Sequence, residues 1–130
     1  MKIIIQNRIK MLDSKEEELI HNEFDGTFKK LSQGSALNYV NEEGEKVLLK
    51  FDESGLSMSR YTAEGALVMR FNRDLETQMK FPGLGPLELL TDQYHLDEAR
   101  GLLSVHYRLA QKGQAFSSYQ LNIHWGEQNV

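Results

Sequence analysis

Four histidines, His21, His95, His106 and His124, are the side chains of this chain whose type first invites metal chemistry. None stands four residues from another as on one helix face, H-E-x-x-H is missing, and no cysteine supplies a thiolate. His106 and His124 fall at outward positions of neighbouring segments in which polar and apolar residues alternate. A simple hairpin about Lys112-Gly113 sets His106 opposite Tyr119 rather than opposite His124. Solvent-facing histidines are the ordinary outcome of that pattern, so no metal and no cofactor are expected. Nucleophilic chemistry fares no better. There is no G-x-S-x-G elbow, and Ser54, Ser57 and Ser59 fall in turns or on outward faces. Gly83-x-Gly85 opens no helix that could cradle a phosphate. Glu16-Glu17-Glu18 and Glu42-Glu43 read as solvated charge clusters at turns. No catalytic residue is assigned.

Polar side chains sent inward by periodicity are better candidates. Leu56, Met58 and Arg60 share one face, which directs Arg60 to the interior. A buried guanidinium needs a partner, because an unpaired buried charge is strongly unfavourable. Glu64, another carboxylate, or the head group of an anionic ligand could serve; alternatively Arg60, near a strand end, reaches solvent with its head. Tyr39, Tyr107 and Tyr119 also fall on apolar faces. They read either as core aromatics whose hydroxyls find backbone partners or as ligand contacts.

The elements that must position these residues are short and regular. Glycines recur about ten residues apart at Gly34, Gly44, Gly55 and Gly65, then at Gly101 and Gly113, and between them apolar residues recur at every second position. Residues 2–12 put Ile3, Ile5, Ile9 and Met11 on one face against Gln6, Arg8 and Lys10. After a turn at Asp13 to Lys15, the next segment reads as a helix opened by a Ser14–Glu17 capping box through Leu19 and Ile20, or as a strand carrying Ile20, Phe24 and Phe28 with Gly26 at a bend or bulge. The strand accounts for more apolar residues and is preferred. Regular strands follow: Leu37 and Tyr39; Val47, Leu49 and Phe51; Leu56 and Met58; Leu67, Met69 and Phe71. Residues 73–81 fit a frayed strand or one helical turn, and 82–86 a loop. Three longer strands close the chain, the first ending near Leu96. The second points Leu103, Val105, Tyr107 and Leu109 inward, and the third Tyr119, Leu121, Ile123 and Trp125. Eight to ten strands, nearly all linked to their sequence neighbours, imply an all-β, antiparallel up-and-down barrel forming one domain over residues 1–130.

Composition narrows the partners. A net charge of −4 offers no broad positive field, so nucleic acid is not expected. Gln6, Asn7, Arg8 and Lys10 interrupt the apolar start too early for a signal peptide, and no stretch is long enough to span a bilayer. With no cysteine, a reducing cytoplasm suits the chain, and a cytoplasmic location without membrane insertion is expected.

Leu67-Val68-Met69-Arg70, Gln78 to Phe81, Leu87-Glu88-Leu89 with Thr91, Gly101 with Val105 and Tyr107, and Leu121-Asn122-Ile123 together resemble the YwiB-like family of small bacterial proteins. The resemblance implies a calycin-like, lipocalin-type barrel and no established function. It also draws attention to Arg70, although Leu67 and Met69 place that residue on the outer face unless a bulge intervenes. Family members carry a longer stretch after the residue matching Phe81, with a glycine, a threonine and a tyrosine. Residues 82–86 cross this region almost directly, so a pocket built there is expected to be missing or remodelled. Fatty-acid-binding barrels of the calycin group hold acidic head groups on an interior arginine. The reading that results is a noncatalytic barrel for a small, largely apolar ligand with room for an acidic head, held by Arg60 or Arg70 with Tyr39, Tyr107 and Tyr119. The alternative is a protein-interaction or structural barrel without ligand, in which apolar residues that break inward parity form a patch for self-association, as in a homodimer, or for a partner: Ile4, Leu12, Leu19, Val40, Leu48, Val68, Leu90 and Leu96.

Overall fold

β-Branched and aromatic residues at alternate positions favour pleated, half-buried strands, and ten such strands form. They are β1 (Lys2–Met11), β2 (Glu17–Lys30), β3 (Ser35–Val40), β4 (Lys46–Phe51), β5 (Gly55–Thr62), β6 (Gly65–Asn72), β7 (Glu76–Phe81), β8 (Gly85–Asp97), β9 (Leu102–Gln111) and β10 (Gln114–Gly126). The computed structural model describes residues 1–73, 75–81 and 83–126. All ladders are antiparallel and run in the order β6-β5-β4-β3-β2-β1-β10-β9-β8-β7. The first and last strands therefore pair with each other, and the sheet's edges are β6 and β7. These edges meet through the Thr77 hydroxyl, which donates to the Arg70 carbonyl, and the Leu75 N–H, which donates to the Asn72 carbonyl at 3.1 Å. The result is a nearly closed up-and-down barrel.

Residues 17–30 take the strand form. Gly26 is a handover between partners rather than a bulge: β2 pairs with β1 through Asp25 and with β3 from Gly26 onward. A Cβ at Gly26 would meet the Asn38 carbonyl oxygen and lie 2.5 Å from Ile3 Cδ1, so the corner admits only glycine without displacement. Residues 76–81 form a strand, which resolves the ambiguity of 73–81. The expected 82–86 loop is shorter than anticipated. Gly85 and Pro86 already belong to β8, and the β9 ladder begins at Glu88, so proline's missing N–H falls outside it. Pro82 lies outside the described residues.

Two bulges depart from the expected parity and register. One follows Thr91, where Asp92 is the extra residue, and returns Tyr94 and Leu96 to the interior; Leu96 packs against the core rather than standing out. The other, at Phe116, shifts the β9–β10 register by one. His106 consequently lies opposite Gln120, not Tyr119, and Tyr107 lies opposite Tyr119.

One end of the barrel is a sealed floor. Phe51, Leu56 and Phe71 are buried there, and Trp125 packs on Phe51 at 5.0 Å and on Phe28 at 6.1 Å; Ile3, Leu49 and Ile123, fully buried, lie above them beside Phe24, Met58 and Ile5. Each such side chain contributes roughly 1.5–3 kcal/mol by leaving water. Polar ties fasten the loops over it. The Lys30 ammonium and the Ser35 hydroxyl both donate to Glu98 in the 3-10 turn Glu98–Arg100, the lysine at 2.8 Å. The Tyr94 hydroxyl reaches the carbonyls of Asp52 at 2.7 Å and Gly55 at 2.8 Å, and Arg73 donates to the Tyr94 carbonyl at 2.9 Å. Gly101 ends the 3-10 turn at φ 66°, against the backbone of Trp125.

Candidate functional site

The opposite end, ringed by the turns after β1, β3, β5, β7 and β9, is less complete. Ile5, Ile20 and Phe24 point inward from β1 and β2, and Met58, Leu67 and Met69 from β5 and β6, yet all are only half-buried. The strand order sets these two walls across the lumen from each other. The β8–β9 wall between them carries Leu87, Leu89, Tyr107 and Leu109 and is buried. The inward side chains toward this end, the mouth, are thus less completely buried than those of the floor.

Arg60 belongs to the mouth. Tyr39, Val47, Arg60 and Leu67 form one inward row across β3–β6, which sets Tyr39 and Arg60 about 10 Å apart by strand spacing. The turn after β3 builds the partner of Arg60. Asn41 Oδ1 accepts the backbone N–H groups of Glu43 and Glu45, and its amide donates to Glu45 Oε1 at 3.0 Å. This fixes the Glu45 carboxylate 3.4 Å from Arg60 Nε. The partner is therefore Glu45, not Glu64. Nε is buried yet misaligned for a hydrogen bond, while the side chain as a whole is 42% exposed. Arg60 is both internally paired and in reach of water.

The three tyrosines divide into two groups. Tyr39 stacks on Phe24 with centroids 4.7 Å apart, and burial, aided by the Glu42 charge, pushes its hydroxyl pKa well up. Tyr107 and Tyr119 are cross-strand partners stacked at 4.5 Å, and Phe71 meets Tyr107 edge-on at 4.7 Å. Burial raises the Tyr107 pKa strongly, and the neighbouring Tyr119 adds to the rise. The phenol is neutral at any ordinary pH. Ser117 donates its hydroxyl to the Tyr119 oxygen at 3.0 Å. Arg70, by contrast, is exposed on the outer face opposite Ser57 and takes no part in the interior. The resemblance that singled it out does not carry over to a lumen contact, because no bulge interrupts β6.

Several interior polar residues escape attention when only apolar periodicity is followed. Asn7 occupies an inward position between Ile5 and Ile9, and its parity makes it legible as a polar residue on an apolar face. Thr91 lies opposite Tyr107 just before the Asp92 bulge. Asn7 Oδ1 and Thr91 Oγ1 are both buried without a hydrogen-bond partner. Such atoms are uncommon in folded proteins and call for a physical reason.

The histidines are on the outer face. His21 meets the Gln6 amide at 3.1 Å and Glu23 at 3.7 Å; His106 lies between Gln120 and Gln93, and His124 between Ile4 and Leu102. Among the described residues no group of three His, Cys, Asp or Glu side chains could hold a metal ion. An outer groove of about 470 Å³ runs over Gln6, Arg8, His21, Gln120 and Asn122. The apolar residues outside inward parity are dispersed: Leu19 stands 70% exposed beside Arg8, whereas Val40, Leu48 and Val68 share the β3–β6 outer wall with Tyr61. No helix among the described residues is long and apolar enough to cross a membrane.

No curated protein matches the chain significantly. Among solved structures, the crystal structure of the ywiB protein from Bacillus subtilis superposes with a TM-score of 0.69 at 20% identity, covering 97% of this chain and 92% of that one. At that identity the likeness establishes the barrel and nothing about a ligand. A family model described as a domain of unknown function, DUF1934, matches residues 3–123, from the first inward isoleucine of β1 to the last of β10. The chain belongs to this DUF1934 family, whose YwiB-like barrel it shares.

Proposed function

We propose that this barrel binds a small, largely apolar molecule in its mouth and leaves it chemically unchanged. The observation that carries the reading is the half-buried state of inward apolar side chains on two facing walls, Phe24 with Ile20 and Met58 with Met69, above a fully packed floor. Apolar surface left partly wet in a concave site gains free energy when a ligand covers it. Ten strands also enclose a wider interior than eight, which suffice to hold one small ligand in calycin-like barrels. Tyr39, Tyr107 and Tyr119 supply flat apolar contact and Arg60 lies at the rim. The pairing of Arg60 with Glu45 makes an acidic head group a secondary fit. Absence of cysteine suits a reducing compartment such as the cytoplasm.

The test is native mass spectrometry of the protein as purified, followed by thermal shift across a set of medium-chain alcohols, acids and amides. A retained small molecule, or a Tm raised by members of one chemical class, supports binding. A bare chain with no shift across the set overturns it.

A second reading has its own observation. Val40 and Tyr61, 52% and 48% exposed, adjoin Leu48 and Val68 on the outer wall of β3–β6. A homodimer through that wall would bury them. Light scattering distinguishes this reading, since a monomer at high concentration removes it.

A further inference from the structure

Large apolar side chains left in water gather at one end of this barrel. Leu12, Val40, Tyr61, Phe81 and Leu84, 39–54% exposed, stand at or beside the strand ends of the mouth, whereas the floor end exposes Met1 and Leu75 among the described residues. We propose that this end docks an extended polypeptide segment of a partner protein, one that alternates basic and apolar side chains. The inference needs no ligand inside the barrel.

Apolar surface runs around the rim. Tyr61 on β5 pairs with Ala66 on β6, half-buried Leu67 comes next, and Phe81 ends β7 across the sheet's open edge. The Leu84 N–H donates to the Phe81 carbonyl at 3.0 Å, and the Gln111 amide donates to the Leu84 carbonyl at 2.8 Å. Gln111 in turn lines a groove of about 340 Å³ with Leu12, Ala115 and Phe116. Apolar residues scattered singly over a surface need no explanation, but a run of them confined to one end does.

The backbone at this rim favours a polypeptide. β6 ladders with β5 alone among the described residues, and no ladder joins it to β7. The carbonyls of Arg70 and Asn72 face that edge, where they take the Thr77 hydroxyl and the Leu75 N–H. Backbone groups of an antiparallel strand turn to the same side at every second residue, so those of Val68 and Ala66 face the edge too, toward the mouth. Edge strands are usually blunted by charges, proline or a bulge. β6 carries a single charge, Arg70, and keeps an unbroken register with β5. Such an edge is a template for another strand, and a polypeptide offers main-chain pairing that a lipid or metabolite lacks.

Charge supplies the partner's sign. The turns of this end carry Asp13, Glu16, Glu42, Glu43, Glu45 and Glu64 against Lys15 and Lys112. Glu45 is spent on Arg60. The strand ends add Glu17, Glu18 and Glu88 together with Lys10, Lys46 and Lys80, so the excess of carboxylates remains. A second copy set end to end, or an anionic lipid surface, meets like charge here. A basic segment meets opposite charge. Laid beside β6, its side chains alternate between the two faces, apolar ones toward Leu67 and Phe81 and basic ones toward the carboxylates outside.

Fluorescence anisotropy with three labelled octapeptides tests this on the unmodified protein: alternating lysine–valine, glutamate–valine and lysine–serine. The lysine–valine peptide should bind about tenfold or more tighter than either other, and added salt should weaken it. Phe81→Ser combined with Leu84→Ser should weaken it about fivefold or more. Val68→Pro removes an N–H that faces the edge and leaves the β5 ladder its donors, so it should weaken binding as well. Leu75→Ser, at the floor, should change nothing. No binding of the lysine–valine peptide, or equal binding of all three, overturns the proposal. Binding undiminished in both the Phe81→Ser/Leu84→Ser and Val68→Pro variants, each confirmed folded by circular dichroism, also overturns it. So does a dimer, seen by sedimentation, that the Phe81→Ser/Leu84→Ser variant dissociates, because a second copy would then cover this end.

Discussion

Glu45, just before β4, stands 3.4 Å from Arg60 on the adjacent β5 and neutralises the guanidinium that would otherwise offer an anion its anchor. Glu45→Gln removes the negative charge while keeping the hydrogen bond from Asn41. The released arginine should raise octanoate affinity about two- to fivefold, an effect limited by its contact with water. Octanol affinity should stay unchanged, and the gain for octanoate should fade as salt is added. A variant that binds octanoate no better than the parent would show that Arg60 does not face the bound head group.

Tyr94 carries a separate duty at the floor. Its hydroxyl serves the carbonyls of Asp52, in the turn after β4, and Gly55, at the start of β5, while its own carbonyl takes the Arg73 guanidinium. Burial and the nearby Asp52 and Glu53 charges keep the phenol protonated. Tyr94→Phe retains the ring and takes the hydroxyl from the Asp52 carbonyl, whereas the Gly55 carbonyl keeps the Asp52 N–H, so we expect a loss of about 1–2 kcal/mol in urea unfolding. Ligand affinity at the mouth should not move, since the floor lies at the other end of the lumen.

Period-two patterning made the barrel legible almost throughout, because a strand with one wet face must alternate. Leu103 to Leu109 and Tyr119 to Trp125 point where their parity says. It failed where an extra residue slips in. Nothing about Asp92 or Phe116 as residue types announces a bulge; the first reversed the facing of the residues that follow it, so Leu96 turned inward, and the second slipped the register, so His106 met Gln120. Gly26 was legible as a special position, but its reason, the close approach of Ile3 and Asn38 where β2 changes partners, depends on contacts distant in sequence. Arg60 was assigned to the interior by parity, whereas its partner was not legible: Glu45 reaches it only because the Asn41 turn folds back. Asn7 was readable by the same parity, yet apolar periodicity alone draws the eye past a polar residue on that face.

Glu98 gives the floor a pH dependence of definite sign. Hydrogen bonds from Lys30 and Ser35 hold its carboxyl below the ordinary value of 4.5. A carboxylate whose folded pKa is depressed contributes stability that is fully present above the unfolded pKa and is lost as pH falls through the folded one. The parent protein should therefore lose stability progressively below about pH 5, and Glu98→Gln should flatten part of that slope while being the less stable protein at neutral pH. Urea midpoints measured from pH 3 to 7 check this. Identical slopes for parent and variant would mean that the Lys30–Glu98 contact is not maintained in solution.

Thr91 tests whether an unpaired buried hydroxyl supports the fold. A buried threonine hydroxyl that supported the fold would be paired, and its removal would cost about 1 kcal/mol or more. The Thr91 hydroxyl has no partner, so burying it is itself unfavourable, and Thr91→Val should leave stability unchanged or raise it by up to ~1 kcal/mol. Thr91→Ala, which leaves unfilled space beside Tyr107, should instead destabilise by roughly 1 kcal/mol. Urea midpoints of both variants against the parent check the two signs. A valine variant that melts early would return Thr91 to the ordinary core.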